Sequence, residues 1–300
     1  MVLPKEGTHV WAKTAADDTA CYVAGKFVKA AGAKVVVERD SDGSSVELDP
    51  ADMLEVNPGP AVPDLTTMVV LNAATMLHNV RERYEKDKIY TRASNMLVAV
   101  NPGHPLPELY TEGTRSKSKN ANLHDPRLEP HLYDVAEQAF RQLKAEKKAQ
   151  SIVISGESGA GKTESIKYCM NYLVWRSDSG VGGGSSSGGD GKAATGLGAV
   201  PGAMPGAAAA SGGNAGALTN RIMQSNPLLE AIGCAKTQRN HNSSRFGKYI
   251  TLQFAGSQQI VGAQIHTFLL EKSRVTSTDA HDERSYHVLY YLVAGSPQTQ

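Results

Sequence analysis

Short apolar stretches broken by turn residues fill residues 9–57: His9 to Ala12, Cys21 to Ala24, Lys26 to Ala30, Lys34 to Arg39 and Ser45 to Leu48. The turn Asp40-Ser41-Asp42-Gly43 lies between the last two, and Asp-Gly ahead of a β-branched stretch signals a hairpin. So many short strands in so few residues predict a small closed β-barrel, because closure hides the edges that an open sheet leaves unpaired. Pro58, Pro60 and Pro63 then allow neither a continued sheet nor a long helix, which places a domain boundary near residue 60.

Beyond that boundary the apolar period lengthens. Asp64 reads as an N-cap, followed by a stripe of Leu65, Met68, Val69, Leu77 and Val80 diluted by Thr66 and Thr67, and a charged end from Arg81 to Lys88. Met96 to Val100 is a continuous apolar run stopped by Asn101-Pro102-Gly103. It predicts a buried strand that delivers its C-terminal end to a loop, where α/β proteins bind ligands. Leu132, Val135, Ala136, Ala139, Phe140 and Leu143 predict an amphipathic helix over 131–147, with a lysine-rich end at the negative pole of its dipole. Residues 177–218 are glycine-rich and lack aromatic side chains, so they are expected to form a disordered surface loop. Helical spacing resumes with Ile222, Leu229 and Ile232 around Pro227. Ile250, Leu252 and Phe254, then Ile260, Ile265 and Phe268, predict two antiparallel strands, and residues 283–294 open a further helix.

Composition narrows the partners. A chain of 300 residues suggests about two domains, or one incomplete large one. With 31 Lys+Arg against 30 Asp+Glu there is no long-range field to recruit nucleic acid or an anionic membrane, and no nucleic-acid partner is expected. Cys21, Cys169 and Cys234 are odd in number and far apart, which excludes a disulfide framework and a four-thiolate zinc site. The N-terminus lacks a secretory apolar stretch and no run approaches about 18 apolar residues, so a cytoplasmic protein without a transmembrane segment is expected. The histidines lack metal-ligand spacing, and no transition metal is expected.

The chemistry concentrates in two motifs. Ile152-Val153-Ile154, read as a strand, leads into Gly156-Glu157-Ser158-Gly159-Ala160-Gly161-Lys162-Thr163, a full G-x-x-x-x-G-K-[ST] phosphate loop. A helix with Ile166, Cys169, Met170 and Leu173 on one face comes next. The glycines let backbone N–H groups wrap phosphate oxygens, and the helix N-terminus adds its positive pole. Lys162 can reach the β- and γ-phosphates and the Thr163 hydroxyl can ligate Mg²⁺. About eighty residues on, Asn240-His241-Asn242-Ser243-Ser244-Arg245-Phe246-Gly247-Lys248 sets two hydroxyls beside a guanidinium. Alone it reads better as an ordinary polar turn with a capping serine. Beside a phosphate loop it suits a γ-phosphate sensor.

Together these motifs resemble the phosphate loop and switch I of the myosin motor domain, and the resemblance runs over nearly the whole chain. Val10-Trp11 with Asp52 to Asn57 looks like the family's N-terminal SH3-like barrel, and Met76 to Tyr84 like its early helix. Ile89 to Thr91 and Leu97 to Pro102 are similar to the approach to its purine-binding loop. Asn226 to Ala231, Ala235 to Thr237, Leu269 to Val275 and Glu283 to His287 continue the likeness.

The resemblance implies an α/β P-loop NTPase motor core, incomplete here, with a mixed central sheet and flanking helices over 61–300, preceded by an SH3-like barrel over 1–60. It implies that Gly156, Glu157, Ser158, Gly159, Ala160, Gly161, Lys162 and Thr163 hold the triphosphate of ATP, and that Thr163 and Ser244 ligate Mg²⁺. Ser243 would touch the γ-phosphate and help relay a proton, and Asn240 would lie near the phosphates. Arg245 would pair with a switch II glutamate, and Asn101 with Tyr110 would flank the adenine. The implied activity is an actin-activated Mg-ATPase of the cytoskeleton, with light chains on its lever.

The sequence departs from the family pattern in a purine loop one residue longer than usual between Asn101 and Tyr110, and in His241 within switch I. The family's switch II D-x-x-G-x-E motif, relay helix, actin-binding cleft, converter and lever would lie beyond Gln300. The flexible segment 177–218 sits at the family's first surface loop, either modulating nucleotide exchange or serving as a neutral insertion. A nucleotide kinase or GTPase would need an acceptor site or an N-K-x-D motif, and neither is seen. A non-catalytic nucleotide-binding or adaptor product is the other alternative.

Overall fold

The alternation at the start of the chain forms five strands, β1 His9–Lys13, β2 Tyr22–Ala31, β3 Lys34–Arg39, β4 Ser45–Leu48 and β5 Met53–Glu55, in the order β4-β3-β2-β1-β5. All pairings are antiparallel. In this computed structural model the described residues are 3–14, 21–123, 125–178, 214–256, 258–276 and 282–296. Every strand sends a side chain to one core: Val10 and Ala12 from β1, Phe27 from β2, Val35 and Val37 from β3, Leu48 from β4 and Met53 from β5. Gly25 is required where β2 meets β3, because a Cβ there would lie 2.5 Å from the Glu38 carbonyl oxygen.

By packing, the chain divides into two units, Met1–Pro102 with Asn122–Pro130, and Gly103–Ala121 with His131–Gln300. In the first, the proline segment is fastened to the residues after it: Asn79 Oδ1 accepts from Val62 N at 2.7 Å and Asn57 Oδ1 from Val69 N at 2.9 Å. Asp64 does cap, but it caps only a short 3-10 turn, Leu65–Thr67, and the expected helix begins later, as α1 Ala73–Tyr84. The reason is local competition. Asp64 Oδ1 takes both Thr66 N and Thr66 Oγ1, and Thr67 Oγ1 donates to Asp64 O, which turns the chain before a helix can propagate. Asn72 and Thr75 then form a capping box and start α1. Arg83 on α1 is buried, donates to Tyr90 O at 2.7 Å and Thr91 Oγ1 at 3.0 Å, and pairs with Glu129, which draws 122–130 into this unit.

The hairpin β6 Tyr90–Ala93 and β7 Met96–Ala99 corrects a second expectation. Met96 is 69% exposed and, among the described residues, β7 pairs only with β6, so this apolar run is not a buried strand.

The second unit contains α2 Glu112–Asn120, α3 Leu132–Glu146, α4 Lys162–Asp178 and α5 Asn214–Gly233. The pairs β8 Cys234–Ala235 with β9 Ser243–Ser244, and β10 Gly247–Phe254 with β11 Ile260–Phe268, and finally α6 His287–Gly295, complete it. Helix α3, β10 and β11 and α6 lie where the apolar spacing placed them. Two expectations change. Ile152 to Ile154 carries no strand, with Val153 87% exposed, because no described strand runs beside it to form a ladder. Of the loop expected over 177–218, residues 177–178 belong to α4 and 214–218 to α5; residues 179–213 lie outside the described residues. Glycine enrichment did not outweigh helix propagation from either side. No helix among the described residues is long and apolar enough to cross a membrane.

Glu137 on α3 holds α4 in place. Fully buried, its carboxylate accepts from Arg176 Nε at 2.9 Å and Tyr172 Oη at 3.0 Å on α4, and from Arg141 Nε at 2.8 Å on α3. Phe140 meets Phe254 of β10 edge to face, with centroids 5.9 Å apart.

Phe27, 4% exposed, is the largest apolar side chain in the N-terminal core. Phe27→Ala is expected to destabilise that sheet by about 3–5 kcal/mol. Amide hydrogen exchange resolves this, with faster exchange across β1–β3 and unchanged exchange across β10–β11.

Candidate functional site

The phosphate loop takes its form from its glycines. Gly159 and Gly161 have φ of 85° and 92°, in the left-handed region that a side chain disfavours. Ala160 N donates to Glu157 O at 3.2 Å and Ser165 N to Gly161 O at 2.9 Å, so the loop tightens directly into α4. Lys162 and Thr163 are the first two residues of that helix. The Lys162 ammonium turns back over the loop and donates to Gly156 O at 2.7 Å and Glu157 O at 2.8 Å. The Glu157 side chain is exposed and faces Arg239 at 3.7 Å.

The second motif is brought to this loop by hydroxyl and amide contacts. Ser158 Oγ donates to Ser243 Oγ at 2.9 Å, and Asn240 Nδ2 donates to Ser158 Oγ at 3.2 Å. Asn240 also shapes its own turn, accepting from Asn242 N at 2.9 Å. Ser243 is 1% exposed and its register is fixed by pairing with Ala235 across β8–β9. Arg245 Nη1 donates to Ser243 Oγ at 3.3 Å. Ser243 Oγ therefore accepts from two donors. Ser244 lies beside Cys234, with Oγ and Sγ 3.5 Å apart, and burial pushes the Cys234 thiol up. Burial pushes Lys248 down, its ammonium lying over the Phe246 ring at 5.3 Å.

Arg245 is anchored behind the site by a carboxylate that motif reading did not single out. Its Nε donates to Glu271 Oε2, and the same oxygen accepts from Arg274 Nε at 2.7 Å. Arg274 pairs further with Glu283 at 2.9 Å, and Tyr286 Oη donates to Glu271 O at 2.6 Å. The Arg245 and Arg274 guanidiniums hold the Glu271 carboxyl at about 2, far below its ordinary range. Among the described residues the carboxylate paired with Arg245 is that of Glu271. The available signal was the Glu271-x-x-Arg274 spacing within the stretch Leu269 to Val275.

The expected purine flank divides between the units. Asn101 belongs to the first, where its carbonyl accepts from Tyr84 Oη at 3.5 Å. Tyr110 belongs to the second and stacks on Tyr168 of α4.

The residues fit a magnesium triphosphate. A Cβ at Gly159 would stand 3.9 Å from Asn240 Nδ2, between loop and second motif, and the donors gathered there are N–H, O–H and ammonium groups suited to phosphate oxygens. No cluster of three or more His, Cys, Asp or Glu that could hold a metal ion occurs among the described residues.

Comparison with known proteins gives the same direction. The family described as Myosin head (motor domain) matches residues 62–300. Myosin heavy chain 95F of Drosophila melanogaster is 42% identical over 235 residues, covering 78% of this chain and 16% of its own length. Unconventional myosin-VI of Mus musculus is 38% identical over 237 residues, 79% of this chain and 16% of its own. Myosin-17 of Arabidopsis thaliana is 37% identical over 296 residues, 97% of this chain and 17% of its own. The chain thus spans about a sixth of the length of these relatives.

The Glu271 cluster has a pH signature. A carboxylate held below its unfolded value of 4.5 stabilises the fold above that pH and loses its contribution as the pH falls toward about 2. Glu271→Gln is expected to lower stability at neutral pH by about 1 kcal/mol, a modest value because the pair is partly exposed. Urea midpoints across pH should show the difference between wild type and variant constant above 4.5 and vanishing near 2.

Proposed function

The chain belongs to the myosin head (motor domain) family, and on that premise we propose that it carries the ATP- and Mg²⁺-binding part of an actin-activated motor ATPase. The observation that carries this reading is the bond from Ser158 to Ser243, which joins a glycine-built phosphate loop to a hydroxyl pair backed by Arg245. Loop N–H groups from Gly156 to Thr163 and the Lys162 ammonium hold the triphosphate, and Lys162 exchanges its carbonyl partners for phosphate oxygens. Thr163 and Ser244 supply hydroxyls to Mg²⁺, which when bound neutralises charge on the β- and γ-oxygens. Ser243 directs its O–H to the terminal phosphate, oriented by Ser158 and Arg245, and can pass a proton there. Asn240 steadies the loop beside the phosphates, and Tyr110 flanks the base.

In this reading residues 61–300 belong to a P-loop NTPase motor core and residues 1–60 form an SH3-like barrel whose single core supports the five-stranded sheet. Actin would engage through regions mostly outside these residues, light chains would bind a lever outside them, and the protein would act in the cytoplasm on the cytoskeleton. One observation favours a second reading, nucleotide binding without turnover by these residues alone. Among the described residues the approach to the loop has no strand neighbour, and Val153 is 87% exposed, while turnover requires rigid positioning.

The test is titration of this chain with a ribose-labelled fluorescent ATP analogue in the presence and absence of Mg²⁺. Micromolar, magnesium-dependent binding is expected, and Lys162→Ala should weaken it about 10- to 100-fold, the range for charge-assisted hydrogen bonds. Equal binding by wild type and Lys162→Ala would sink the proposal.

A further inference from the structure

The loop that carries Asn240 and Asn242 joins β8 to β9, and Asn242 is its last residue before Ser243. Two helices outside both motifs flank it. Helix α5 ends at Gly233 and runs directly into β8. The start of α6 is tied to the same strand and the residue after it: Tyr286 forms an antiparallel bridge with Ala235, and Arg284 N donates to Lys236 O at 3.0 Å.

One side chain from each helix reaches the Asn242 amide. Its Nδ2 donates to Glu230 Oε2 of α5 at 3.3 Å, and its Oδ1 lies 3.2 Å from Nε2 of His287, the first residue of α6. A carboxylate only accepts, so the amide turns its NH₂ to Glu230 and its carbonyl to His287, and the imidazole donates from Nε2. The His287 ring is braced by stacking on Tyr291, with centroids 5.9 Å apart and planes at 19°. The Glu230 charge also bears on the Lys248 ammonium, where it opposes the effect of burial.

Asn242 passes this placement on in two directions. Its N–H donates to Asn240 Oδ1 at 2.9 Å, and Asn240 Nδ2 donates in turn to Ser158 Oγ at 3.2 Å. Next in the chain stands Ser243, which accepts from Ser158 Oγ at 2.9 Å. Thr237 N donates to Asn240 O at 2.8 Å and closes the loop on itself, which fixes its shape but not its angle to the helices. The two partners of the Asn242 amide fix that angle.

We infer that Glu230 and His287 are positioning residues of the γ-phosphate sensor: through Asn242 they hold Ser243 where the terminal phosphate of the nucleotide is read. The inference rests on the ATP site proposed above. Its effect is selective, because the loop N–H groups hold phosphates of either nucleotide, whereas Ser243 addresses the phosphate that ATP has and ADP lacks.

The probes are ribose-labelled fluorescent analogues of ATP and of ADP, both with Mg²⁺, titrated against this chain; the readout is the ratio of the two affinities. Glu230→Ala and His287→Ala are each expected to lower the preference for ATP about three- to tenfold, the range for one hydrogen bond, and to leave ADP affinity unchanged. Glu230→Gln and His287→Gln, which keep an acceptor oxygen and an N–H donor respectively, should restore the ratio. Asn242→Ala should show the loss as well, and adding Glu230→Ala to it should cost nothing further, because that bond is already gone. An unchanged ratio in Glu230→Ala or His287→Ala, with Lys162→Ala still weakening both analogues, overturns the role of that residue and leaves the ATP site standing. Parallel loss of both analogues also overturns it, since that would mark a structural role. A wild-type chain that binds the two analogues equally has no sensor to position and overturns the inference. One that binds neither removes the ATP site and the inference with it.

Discussion

A loop built on glycines has few side chains with which to hold a neighbouring segment, so the register between the phosphate loop and the β8–β9 pair depends on its hydroxyl residue, Ser158. Ser158 binds Ser243 at 2.9 Å and Asn240 at 3.2 Å. Each such bond contributes only about 1 kcal/mol net, but a buried hydroxyl left unpaired costs about 1–3 kcal/mol. Ser243 is buried, so its place is set less by what the bond adds than by what its loss would cost. Behind Ser243 the same logic continues through Arg245 to Glu271 and on to Arg274 and Glu283, a run of directional contacts that reaches the start of α6.

Helix α4 is fixed from both ends by polar groups. At its N-terminus the phosphate loop closes onto Lys162, and near its C-terminus the buried Glu137 takes Arg176 and Tyr172. A buried carboxylate is costly to desolvate, and this one is stabilised by two guanidiniums and a phenol hydroxyl in direct contact. Those bonds set the rotation of α4 against α3 more sharply than apolar packing does, because a hydrogen bond fails within a few tenths of an ångström and a van der Waals contact does not.

The sequence is most readable where conformation is written into single residue types. Gly159 and Gly161 announce a left-handed loop, and alternation with Asp42-Gly43 announces the N-terminal strands. It is least readable where a residue's role depends on neighbours distant in the chain. The run at Met96 to Val100 has the composition of a buried strand and is exposed because only β6 lies beside it. Asp64 and Asn72 are equally good caps by type, and the hydroxyls of Thr66 and Thr67 decide between them. Glu271 looks like one half of a surface pair until Arg245 is folded against it, and Tyr168 like one face of an amphipathic helix until Tyr110 covers it.

These contrasts bear on what the site can do. In the first unit the apolar face of the sheet is covered by its own residues, from Val10 to Met53. In the second, Val153 ahead of the phosphate loop, Phe268 and Leu269 at the end of β11, and Leu292 and Val293 on α6 all stand exposed. Ser158, Ser243 and Arg245 nonetheless make polar contacts to one another and to Glu271 within these same residues. Hydrogen bonds and ion pairs therefore define the site's geometry here, and apolar packing does little to stiffen it. Recognition of a phosphate needs donors pointed correctly, which directional bonds provide. Rapid chemistry on that phosphate needs the donors held still against a packed floor, and that requirement falls on the apolar surface beside Val153 and β11.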